Sequence, residues 1–175
     1  MYKKILVATD GSPLSDTAVS HALALAKAVR AQIVALTVSE PFHLLSTEPE
    51  QLVDTQEEYR RHVEAKAREL LTRVVDAAAA HEVPAESVHL EDDHPYEAII
   101  GTARNFSCDL IVMASHGRRG LSAVVLGSQT VKVLTHSAIP VLVVRDEARE
   151  AALRASERSG RPAARFFGSM MEKPD

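Results

Sequence analysis

The sequence predicts an α/β domain, a doubly wound five-stranded parallel sheet with helices on both faces. Three observations predict it: short apolar runs recur along the chain, stretches of helical spacing separate them, and the resulting order is β-α-β-α-β-α-β-α-β. Strands apolar on both faces need cover on both faces, which flanking helices supply. Right-handed crossovers then favour the doubly wound arrangement.

Each element has its own signal. KKILVATD (3–10) is a short apolar run closed by the turn cluster DGSP. Ala18, Ala22, Leu25, Ala26 and Val29 then recur at steps of three and four, the spacing of one helix face. AQIVALTV (31–38) is the second strand and ends at Ser39-Glu40-Pro41. After a polar loop, a long helix is expected from about Pro49 to His81. Leu52, Tyr59, Val63, Ala67, Leu70, Val74 and Ala78 form its inward face, and Pro84 stops it. SVHLED (87–92) is the third strand and is less apolar.

His94-Pro95 opens the third helix, with proline in the first turn where its missing N–H costs nothing. Ile99, Ile100, Ala103 and Phe106 form its buried side. CDLIVMAS (108–115) is the fourth and most apolar strand. Gly127-Ser128 opens the fourth helix through Val131 and Leu134, and IPVLVV (139–144) is the fifth strand.

Composition narrows the function classes. A chain of 175 residues with 46% hydrophobic and 25% charged residues fits one soluble globular domain. Its net charge of -4 argues against a dedicated nucleic-acid binder, and no nucleic-acid partner is expected. The lone Cys108 excludes an intramolecular disulfide and fits a reducing compartment. The run ILVA is too short for a signal-peptide core, and no run approaches the roughly 18 apolar residues of a membrane span. A cytoplasmic protein without membrane insertion is expected.

Residues 146–175 differ from the rest. Six acidic and six basic residues cancel there, so the preceding domain holds the net charge. Two readings stay open: a poorly ordered tail with a frayed helix, or a segment whose Phe166, Phe167, Met170 and Met171 dock on a neighbouring surface.

In doubly wound sheets, ligands sit beyond the carboxyl ends of the strands, where the winding direction reverses. That directs attention to Ala8–Ser12, Val38–Glu40 and Ala114–Gly127. The stretch ASHGRRGLSAVVLGSQT (114–130) holds three glycines, two adjacent arginines and a Gly-Ser pair at a helix start. Glycines let a backbone approach phosphates, helix N-termini present unbonded N–H groups, and Arg118 and Arg119 add positive charge. Gly117 and Gly120 can adopt backbone conformations closed to other residues. Read alone, the same loop also fits a surface turn with solvated arginines.

Asp10 ends the first strand, where its carboxylate can hold Mg²⁺ on phosphates or cap the turn Asp10-Gly11-Ser12. Val38 offers an apolar wall for a flat base. His116 fits either a phosphate contact or a role in holding the turn. Cys108, at the start of a buried strand, is expected to be inert. The spacings Gly-x4-Gly-Lys-Ser/Thr and Gly-x-Gly-x-x-Gly do not occur, and the eight histidines show no metal-site pairing.

These motifs together resemble the universal stress protein family. VATDGSP near the start, IPVLVVR at 139–145 and the loop spacing Ala114-x2-Gly117-x9-Gly127-Ser128 match the family's pattern over residues 1–145. Ala114 stands where ATP-binding members have the first glycine. The resemblance implies an adenine-nucleotide α-hydrolase-like fold of strand order 3-2-1-4-5.

It also implies ATP as ligand, with Mg²⁺ as counter-ion. By motif position and neighbourhood the contacts fall on Ala8, Thr9, Asp10, Val38, Met113, Ala114, Ser115, His116, Gly117, Arg118, Arg119, Gly120, Gly127, Ser128 and Gln129, with Asp10 the metal-side residue. A homodimer through strand 139–145 is implied too, as an apolar edge strand invites pairing with its copy. The expected function is ATP-dependent stress-response regulation, in which occupancy orders the 115–126 loop and signals to a partner. A slow Mg-dependent ATP hydrolase and a nucleotide-free dimeric scaffold are the alternatives, and no catalytic residue is assigned.

Overall fold

The computed structural model describes residues 1–42, 49–117 and 126–145, with side chains of 49–55 set apart from that description. Arg118, Arg119, Gly120, the tail 146–175 and its Phe166, Phe167, Met170 and Met171 lie outside the described residues, as does the Leu52 side chain.

The elements run β1 (Lys4–Ala8), α1 (Pro13–Val29), β2 (Gln32–Ser39), α2 (Pro49–Ala80), β3 (Ala85–Glu91), α3 (Pro95–Asn105), β4 (Leu110–Ala114), α4 (Ser128–His136) and β5 (Val141–Val144). All pairings are parallel and the strand order is β3-β2-β1-β4-β5. Winding therefore reverses between β1 and β4, the topological switch point of such sheets.

Alternation along the central strands explains the two cores. Ile5, Val7, Ile33, Ala35, Leu110 and Val112 pack with α1 and α2 on one face. Leu6, Val34, Leu36, Ile111 and Met113 pack with Ile99, Ile100 and Ala103 of α3 and Val133 of α4 on the other. Each fully buried aliphatic side chain contributes about 1.5–3 kcal/mol of transfer free energy.

Local chemistry sets the ends. Ser12 caps α1, its Oγ accepting from Ser15 N at 3.3 Å, with Pro13 next and Asp16 in the first turn. β1 stops at Ala8, so Thr9 and Asp10 belong to the turn. β3 starts at Ala85, two residues earlier than its apolar pattern suggests, because pairing with β2 begins at Ile33↔Ala85. β5 starts at Val141, after Pro140, which has no N–H for the ladder. The C-terminal ends of α1, α2 and α3 are followed by non-glycine residues at positive φ: Arg30 (58°), Glu82 (60°) and Ser107 (55°).

Two helices differ from the pattern read in the sequence. Val131 and Leu134 mark α4 but are 45% and 42% exposed, while Val133 is its fully buried anchor. On α2, Ala67, Leu70, Val74 and Ala78 are buried as expected, whereas Tyr59 is exposed and Val63 half-buried. The reason is length. Thirty-two helical residues span about 48 Å, against about 26 Å for the eight residues of β2. The N-terminal part of α2 therefore overhangs the carboxyl ends of the strands.

Candidate functional site

The overhang and the strand ends enclose a cleft of about 620 Å³. Its floor is the switch point: Ala8 ends β1, Met113 and Ala114 end β4, and Val38 to Glu40 leave β2. Thr9, Asp10, His116, Gly117, Gly127, Ser128 and Gln129 also line it. Eleven of the sequence-predicted residues thus meet in one place. Ser115 is buried beneath it, and Arg118, Arg119 and Gly120 lie outside the described residues.

Asp10 is held by the turn it forms. Its Oδ1 accepts from Ser12 N at 3.0 Å, and its Oδ2 points at Gly117. A Cβ on Gly117 would sit 2.6 Å from that oxygen. Gly117 has no positive φ; among the described glycines only Gly11 does, at 76°. Gly117 therefore does not use the left-handed freedom open to glycine; its lack of a side chain serves close approach to a carboxylate. Gly127 is also tight, its virtual Cβ lying 3.2 Å from His116 Cα and 3.4 Å from Ser115 O.

The neck of the loop is closed by hydrogen bonds. Ser115 N donates to Val144 O at 2.8 Å, and Gly127 N donates to Ser115 O at 2.8 Å. The chain thus leaves β4 and returns to α4 at one point. Thr130 Oγ1 donates to Ala114 O at 3.1 Å, tying the helix to the strand. The first α4 bond is Val131 N to Gly127 O, so the N–H groups of Ser128, Gln129 and Thr130 precede the intrahelical ladder. Gly127 supplies no side-chain cap, and the first turn holds no acid. An anion is favoured at such an end.

Several predicted side chains have structural partners. The Thr9 hydroxyl shares a hydrogen bond with Ser15 Oγ at 3.0 Å and accepts from Gly11 N. Gln129 Oε1 accepts from Tyr96 N, bracing the start of α3. His116 Nδ1 and Ser115 Oγ are 3.1 Å apart, which holds the turn. Ala114 is extended, its methyl packed in the α1–α2 core. Positive φ is not required there, so alanine fits where glycine stands in the motif.

A family-wide sequence model, the universal stress protein family, matches residues 1–145. The chain belongs to the universal stress protein family. The universal stress protein YxiE of Bacillus subtilis is 33% identical to it, over 83% of this chain and the whole of that one. The universal stress protein MJ0531 of Methanocaldococcus jannaschii is 33% identical over 86% of each chain. The solved structure of hypothetical protein MJ0577 superposes with a TM-score of 0.72 at 26% identity, covering 84% of this chain and 98% of that one. A universal stress protein solved in complex with cAMP superposes with a TM-score of 0.61 at 25% identity, covering 82% and 97%. The fold is thus that of the family, the adenine-nucleotide α-hydrolase-like α/β sandwich.

In this universal stress protein the sequence motifs locate the floor of the cleft but not its far wall. Tyr59, His62, Val63, Lys66, Ala67 and Leu70 of α2 line that wall. Tyr59, Val63, Ala67 and Leu70 belong to the inward face that the spacing predicts, whereas His62 and Lys66 stand outside that pattern. Tyr59 donates to Glu40 O at 3.3 Å, and its ring lies 5.2 Å from that of Phe42. Cys108 is buried and lies outside the cleft lining, and desolvation pushes its thiol up to about 11. A thiol so raised is protonated at neutral pH and a poor nucleophile.

Among the described residues, no group of three His, Cys, Asp or Glu is placed to hold a metal ion. No described helix is long and apolar enough to cross a membrane.

Proposed function

We propose that this universal stress protein is a cytoplasmic ATP-binding regulatory protein in which nucleotide occupancy sets the conformation of the 115–126 loop and so signals to a partner. The observation that carries this reading is the convergence of Asp10, Gly117 and the uncapped N-terminus of α4 in one cleft at the switch point. Phosphates need convergent N–H donors and close backbone approach, and the Gly127–Ser128 junction offers both. Val38 offers an apolar wall to the base. The relative solved with cAMP supports an adenine nucleotide as the ligand class. Asp10 is the residue to accompany Mg²⁺, an ion that commonly takes one or two carboxylates and fills its remaining positions with phosphate oxygens and water.

The active species is a homodimer through strand 139–145. Leu142 on edge strand β5 is 40% exposed, and the exposed Val131 and Leu134 lie on the adjoining helix α4. Pairing β5 with its two-fold copy covers such an edge. A protein partner is proposed for the tail 146–175, which lies outside the described residues.

Calorimetric titration of nucleotide-stripped protein with Mg-ATP tests the binding reading. The wild type is expected to bind, and Gly117→Asp to lose all measurable binding while keeping its far-UV spectrum, because a second carboxylate would meet Asp10 Oδ2. A folded Gly117→Asp variant with wild-type affinity removes the cradle assignment.

A further inference from the structure

The α2 wall contributes a charge that none of the loop motifs predicts. Among the described residues, Asp10 and Glu40 are the acidic ones that line the cleft, and a polyanion there is favoured by a nearby cation. Among the described lining residues Lys66 is the single lysine or arginine. Lys4 and Lys27 pair with Glu86 and Glu82, and Arg60 and Arg61 pair with Glu57, but Lys66 has no carboxylate partner among the described residues. His62 lies one turn toward the N-terminus and lines the same wall.

The place of Lys66 along the cleft follows from its neighbour. Leu70, one turn further on, comes within 3.4 Å of a virtual Cβ on Gly11, the residue after Asp10. This stretch of α2 therefore stands over the β1–α1 loop. Asp10 in turn reaches Gly117, so Lys66 lies on the Asp10 side of the cleft. A lysine is suited to this position: its flexible stem delivers a compact charge to phosphate oxygens without fixed geometry.

We propose that Lys66, with His62 beside it, binds the β- and γ-phosphates of the nucleotide and makes the cleft discriminate triphosphate from monophosphate. The inference rests on the nucleotide reading above. The overhang of α2 has a function on this account, since it places a cation beyond the ends of the strands where the outer phosphates extend.

The test is titration of full-length wild type, Lys66→Met and Lys66→Arg with AMP and with ATP in magnesium buffer, at low and high salt. Methionine keeps the apolar stem, and Lys66 is exposed, so the unliganded variants should melt within about 2 °C of wild type. Lys66→Met is expected to lose roughly tenfold or more in ATP affinity, with AMP affinity changed less than about twofold. Lys66→Arg should recover most of that loss, and the salt dependence of ATP binding should flatten in Lys66→Met. Unchanged ATP affinity in Lys66→Met, or equal losses for AMP and ATP, overturns the inference alone. Wild-type protein that binds neither nucleotide overturns the nucleotide reading, and this inference with it.

Discussion

At the scale of single residues, space rather than backbone conformation makes glycine necessary in the loop. Neither Gly117 nor Gly127 has positive φ, yet a Cβ at either would press on Asp10 Oδ2 or on the His116 backbone. Ala114 is the converse case. It ends β4 in extended conformation with its methyl in the core, so restoring the family's glycine is expected to lower stability by roughly 0.5–1 kcal/mol. ATP affinity of Ala114→Gly should stay within about twofold of wild type. Denaturant unfolding and calorimetry check the two halves; a large gain in affinity would mean that the alanine restricts the site.

The motif spacing made these positions legible in the sequence. The engagement of the Thr9 hydroxyl and the Gln129 amide was not legible, because it depends on Ser15 and Tyr96, which only the fold brings near.

At the scale of elements, the nine formed by the described residues were legible from periodicity because apolar runs and helical faces alternate cleanly. The misreadings share a cause. A helical face says that side chains point one way, not what they meet. On α2 the lower turns meet the sheet and the upper ones meet the cleft, which only the length mismatch with β2 separates. On α4, Val133 is the buried anchor and its apolar neighbours face outward.

Helix ends give a second lesson. Ser107, at φ 55°, follows α3 in a conformation that costs a non-glycine residue about 1–2 kcal/mol. Glycine there relieves that strain and offsets part of it by its own entropy cost. Ser107→Gly is therefore expected to raise stability by roughly 0.5–1 kcal/mol. A higher urea midpoint with unchanged slope is the predicted result; a lower midpoint would mean that the Ser107 side chain contributes more than its backbone strain.

At the scale of the whole molecule, the sheet divides the labour. Its carboxyl edge forms the cleft at the switch point proposed to hold the nucleotide, and β5 is the edge strand proposed to carry assembly. The two proposed functions lie on different parts of the sheet and can be tested separately. Leu142→Lys is expected to convert the proposed dimer to a monomer in analytical ultracentrifugation while leaving secondary structure intact, since a lysine on an edge strand opposes pairing. A dimer of unchanged mass would place the interface elsewhere.

Whether the cleft binds ATP is decided by thermal unfolding of nucleotide-stripped protein, with Mg-ATP compared against AMP and GTP. Ligand at 100 times its dissociation constant stabilises the native state by about 2.7 kcal/mol, which for a domain of this size raises Tm by roughly 5–10 °C. Such a shift is expected with Mg-ATP, a smaller one with AMP and none with GTP at equal concentration. A folded protein whose Tm does not move at millimolar ATP would contradict ATP binding, and the loop from Ala114 to Ser128 would then be a turn on a dimeric scaffold.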